Sequence, residues 1–179
     1  MEDREKLIKQ KIQAEEEIEM MQLQGVKQQV WEILTTEKHF DPQEIVIDAE
    51  FILKMSSCEA TVGIDFIINL PEASLIVIKC SPTAIESWER YTISFARAVK
   101  DYQIPYAMVT DGEKARIFDV ITGSLLGENI HKLFNRQEAI EIMKDFNKLP
   151  CPSRRLEKEK RIVYAFEGIK CPSSKEQRE

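Results

Sequence analysis

The chain has 179 residues, 43% of them hydrophobic and 31% charged, with a formal net charge of −6 and an isoelectric point near 5.2. Such a length and balance describe one domain with appendages and enough apolar residues for a core. The acidity excludes a surface built for general nucleic-acid binding, though not a local basic groove.

No apolar run approaches the roughly 18 residues that a membrane span requires, so no membrane partner is expected. Residues 1–20 are charged throughout, unlike a secretory leader, and a cytoplasmic location is expected. The four cysteines (Cys58, Cys80, Cys151, Cys171) lack CxxC spacing, so they read as reduced thiols rather than zinc ligands.

Residues 3–37 read as helix, with a break expected near Gly25. Leu7, Ile8, Ile12, Ile18, Met21 and Leu23 give a narrow apolar stripe, too thin for a core helix and suited to pairing with another chain. Val26, Val30, Trp31, Ile33 and Leu34 form a stronger amphipathic face. Three segments follow from this: a charged helical extension over 1–25, a folded domain over 26–149, and a charged tail over 150–179.

Within the domain, Ile45, Ile47, Ala49, Phe51 and Leu53 alternate with polar Asp48, Glu50 and Lys54, as in a strand with one buried side. Strands at 60–69 and 74–80 are joined through Asn69-Leu70-Pro71-Glu72-Ala73. A helix is expected from 84 to 101, capped by Thr83 with Glu86. Strands 106–110 and 115–120 flank an Asp111-Gly112 turn, and a turn at Thr122-Gly123 leads into an irregular piece. Asn135 with Glu138 caps a last helix ending near Phe146. The order predicts an α/β fold, a mixed central sheet flanked by helices with an extended N-terminal helix.

Asp65 and Lys79 each stand inside an apolar strand, where an unpaired charge is costly. They form either an ion pair or part of a metal-dependent site. Trp88 and Tyr91 read as helix-core residues, and His39 and His131 as surface residues. The basic run Arg154-Arg155, Lys158, Lys160-Arg161 is interleaved with Leu156, Glu157 and Glu159 and reads as a solvated mixed-charge helix.

Three runs carry a resemblance: Asp65-Phe66-Ile67-Ile68, then Val77-Ile78-Lys79-Cys80, then Ile104-Pro105-Tyr106 through Thr110-Asp111-Gly112. Over about residues 26–147 the pattern resembles the N-terminal nuclease domain of type I restriction enzyme R subunits, of the PD-(D/E)XK restriction-endonuclease-like type. The resemblance implies Mg²⁺ held by Asp65 and the Ile78 carbonyl, with Lys79 as the catalytic lysine, and DNA as the substrate. The family's second carboxylate falls on Val77, which has no ligand atom, and Ser87 stands where the family has a Gln before Tyr91.

Glu50 is the preferred replacement ligand; Glu86 and Glu89 are weaker ones. The resulting expectation is a degenerate member with little or no Mg²⁺-dependent cleavage. Two alternatives stand beside it: a Mg²⁺-dependent DNA endonuclease using the relocated Glu50, and a homodimeric interaction scaffold joined through the N-terminal helix.

Overall fold

The computed structural model describes residues 2–167. Helix α1 (Glu2–Glu32) runs into a five-residue π turn (Ile33–Glu37), and a 3-10 turn (Pro42–Glu44) leads to the sheet. The strands are β1 (Ile45–Lys54), β2 (Glu59–Asn69), β3 (Ser74–Cys80), β4 (Tyr106–Thr110), β5 (Lys114–Asp119) and β6 (Leu125–Asn129). Helix α2 (Glu89–Ala98) lies between β3 and β4, and α3 (Arg136–Lys144) and α4 (Ser153–Glu167) follow the sheet.

The strands lie side by side in chain order. All neighbours are antiparallel except β3 and β4, which are parallel and joined by the α2 crossover. The fold is therefore the expected α/β class with a mixed central sheet. Its centre is β3, where Leu75, Ile76, Val77 and Ile78 are each fully buried. A strand buried on both faces needs a continuous apolar run, and that is what the sequence supplies.

Several local expectations change. Gly25 does not break α1, which continues through it to Glu32. The Thr83–Glu86 cap does not form. Ala84 takes a left-handed φ of 47° and starts a 3-10 turn (Ile85–Trp88) before α2 begins. The irregular piece after Gly123 contains β6, an exposed edge strand whose side chains lack the buried alternation that marks a strand in sequence. The Asn135–Glu138 capping box and the left-handed glycine of the Asp111-Gly112 turn are both present.

The mixed-charge segment at 154–161 is not simply solvated. It lies in α4, which packs on α2 and buries Glu159, Val163 and Tyr164. Cys80 and Cys151 are free thiols, whereas Cys58 is disulfide-bonded, against the expectation of four reduced cysteines. The expectations for Cys171 and for the end of the charged tail lie outside the described residues. No helix among the described residues is long and apolar enough to cross a membrane.

Candidate functional site

The pairing of β2 with β3 ends at Phe66↔Ile78, while β2 stays paired with β1 through Ala49↔Ile64 and Glu50↔Gly63. At that point a side chain replaces the ladder. The Cys80 amide donates to Asp65 Oδ2 at 2.7 Å. Ile67 is paired with Val77, so Asp65 and Lys79, each two residues further along, share one face. Lys79 Nζ lies 3.3 Å from Asp65 Oδ2 and 4.8 Å from the centre of the Trp88 ring. The expected pairing of Asp65 with Lys79 is thus present, and the aromatic face adds a second favourable contact for the ammonium.

A further cation comes from α1. Lys27, with a side chain 9% exposed, pairs with Asp48 and lies 3.9 Å from Asp65 Oδ1. Asp48 stands opposite Asp65 in the strand register, between Ile47↔Phe66 and Ala49↔Ile64. Its φ is 51°, a left-handed conformation inside a strand. That geometry costs about 1–2 kcal/mol for an L-residue, less for Asp than for most. The local account is two carboxylates balanced by two ammonium groups, which is how a buried charge becomes tolerable.

Glu50, Asp48, Asp65 and Lys79 line one cleft of about 350 Å³, so the proposed substitute carboxylate stands at the same place as the strand pair. Glu167 reaches this cleft from the end of α4. Its Oε1 takes the Tyr91 hydroxyl and lies 3.4 Å from the Gly63 amide. The Tyr91 hydroxyl is also 2.6 Å from the Gly63 carbonyl. Burial first, then the bond to Glu167, raises the Tyr91 pKa well above its usual range. The neighbouring Cys80 thiol is likewise pushed far up, by burial and by the Asp65 charge, so it is not a nucleophile.

The implied Mg²⁺ is poorly matched by these residues. Val77 is fully buried in the core and offers no oxygen. Ile78 is fully buried between Phe66 and Met108 of its two neighbouring strands. Asp65 is already held by an amide and two lysines. Among the described residues, no three His, Cys, Asp or Glu side chains converge closely enough to hold a metal ion. Magnesium keeps several waters and takes one or two carboxylates, and here the strand carboxylate in the family position, Asp65, is engaged by the Cys80 amide, Lys79 and Lys27.

Elsewhere, His131 is on the surface as expected but has a partner, Glu37, at 2.8 Å. That hydrogen bond, acting against a small burial effect, lowers the Glu37 pKa. Glu89 pairs with Arg116 on β5, away from the Asp65 cleft. Sequence reasoning missed Lys27, Asp48 and Glu167. Lys27 sits on a helix far from β2 in sequence, Asp48 looked like one more polar-face residue, and Glu167 belonged to a segment read as tail.

Searches of curated proteins and of solved structures return no match. A family model described as type I restriction enzyme R protein N terminus matches residues 24–133. That stretch runs from the end of α1 to the turn before α3 and includes Lys27, Asp48, Glu50, Asp65, Val77 and Lys79. The chain belongs to the type I restriction enzyme R protein N-terminus family.

Proposed function

We propose that this domain is a degenerate PD-(D/E)XK nuclease fold with little or no Mg²⁺-dependent cleavage of its own. One observation carries the reading: Asp65 is held by the Cys80 amide, Lys79 and Lys27, while the second ligand position is the core residue Val77. Fixed ammonium groups take the electrostatic place that a hydrated cation would need. Removing them costs more than a weakly liganded ion returns. Asp65 and Lys79 then serve as an ion pair that closes the splayed end of β2 and β3.

The test is cleavage of supercoiled plasmid with Mg²⁺ or Mn²⁺, with Asp65→Ala and Lys79→Ala beside the unmodified protein. The reading expects no cutting above background in any of the three. Cutting by the unmodified protein that both substitutions abolish would overturn it and make Glu50 the relocated ligand. Family membership makes DNA the first polymer to test for binding without cleavage, by gel shift at stated salt.

A specific observation also favours a scaffold role through a homodimer. Residues 3–22 of α1 are exposed throughout, including Leu7, Ile8, Ile12 and Ile18. Most helical stability in proteins comes from packing of an apolar face, which this exposed stretch lacks, so a partner helix would stabilise it.

A further inference from the structure

We propose that two copies of this chain pair antiparallel through residues 4–22 of α1; this rests on the homodimer reading above and fixes its orientation and contacts. The helix is continuous from Glu2 to Glu32, so its faces follow from 100° per residue. Positions 4, 7, 8, 11, 12, 15, 18, 19 and 22 fall within an arc of about 140°.

That face is ordered by charge. Arg4 and Lys11 occupy its first half, Glu15 and Glu19 its second, and Ile8, Ile12 and Ile18 lie among them. Off the face the division is absent, since Asp3 and Glu5 stand early beside Lys6 and Lys9, so the ordering belongs to the face itself.

On this face the order of Lys11 and Glu15 does not serve the helix itself. Lys11 preceding Glu15 is the less favourable order for an i,i+4 pair. It does serve a second copy running the other way. With positions 4, 8, 11, 15, 18 and 22 as the seam, an antiparallel register sets Ile8 against Ile18 of the partner subunit. The same register sets Lys11 against Glu15 of the partner subunit. Ile12 then meets its own counterpart near the two-fold axis. A parallel pair would instead stack Lys11 on Lys11 and Glu15 on Glu15, a repulsive arrangement that selects against it. Two such helices are self-complementary, as a two-fold interface requires.

The experiment uses the full chain. Light scattering gives the mass, and a short bismaleimide cross-linker reports which positions meet. The unmodified protein is the control for its native thiols. Mixed samples of Ile8→Cys and Ile18→Cys should give cross-linked dimers, while either variant alone should not. In the antiparallel register residues 8 and 8 lie about 15 Å apart along the axis. Lys11→Glu should raise the dimer dissociation constant by roughly tenfold, and Lys11→Glu with Glu15→Lys should restore it. A dimer in which Ile8→Cys alone cross-links would leave the homodimer reading standing and overturn the antiparallel one. A dimer with no cross-link in any sample would place the interface elsewhere and overturn this proposal. A monomer at all concentrations would overturn both.

Discussion

Glu159→Gln is a sharp test of how α4 is held. Glu159 is fully buried, and its carboxylate takes Arg97 Nη1 at 3.0 Å, Arg155 Nε at 3.0 Å and Ser94 Oγ at 2.5 Å. Arg97 is itself only 1% exposed and also donates Nε to the Val120 carbonyl at 2.8 Å. The Arg90 and Arg155 side chains are 43% exposed, so water screens their share to within about 1 kcal/mol each. The Arg97 pair has no such relief. Removing the negative charge strands a buried guanidinium, at a cost of about 3–5 kcal/mol. That is a large part of a total of about 5–15 kcal/mol. With an m-value of about 2–3 kcal/mol/M, the urea midpoint should fall by about 1–2.5 M. Glu141→Gln, in an exposed pair with Lys144, should change the same curve by less than about 0.5 kcal/mol. A Glu159→Gln loss of under about 1 kcal/mol would refute the reasoning and show that Arg97 is solvated. Since α4 also brings Glu167 to the Asp65 cleft, faster amide exchange at Gly63 should accompany the destabilisation.

Acid should weaken the same cluster. Burial alone would raise the Glu159 pKa, but the Ser94 hydroxyl, Arg90 and Arg97 together outweigh it and hold the value below the ordinary one. A depressed folded pKa gives stability that is complete above the unfolded value, near 4.3, and lost as pH falls through the folded value. Urea midpoints taken downward from pH 5 should therefore drop, and Glu159→Gln should flatten that drop. Ala84→Gly should stabilise the protein by about 0.5–1 kcal/mol in the same assay, because Ala84 is exposed and left-handed at φ 47°. A loss of stability there would mean that the conformation carries no strain.

Most of the fold was legible because its signals are local. The apolar runs of β2 and β3, the Asp111-Gly112 turn and the Asn135–Glu138 box each state their structure within a few residues. The pairing of Asp65 with Lys79 was legible for the same reason, from period-2 placement on neighbouring strands. What escaped was set by tertiary contacts. Lys27 reaches Asp65 across 38 positions of chain, by the docking of α1. The left-handed Asp48 has no sequence mark, since Asp is ordinary on a strand's polar face. Glu159 looks like its solvated neighbours in the run 154–161, and only the packing of α4 on α2 singles it out. Edge strand β6, exposed along its length, has no burial pattern to betray it.

On the proposed reading, the residues around Asp65 are closed to a divalent cation by their own lysines and by Val77. Calorimetric titration with Mg²⁺ and Mn²⁺ puts this to the test, with the unmodified protein beside Asp65→Asn and Val77→Glu. The unmodified protein should show no saturable binding, and binding should appear in Val77→Glu where that variant folds by circular dichroism. Saturable binding by the unmodified protein that Asp65→Asn abolishes would contradict it.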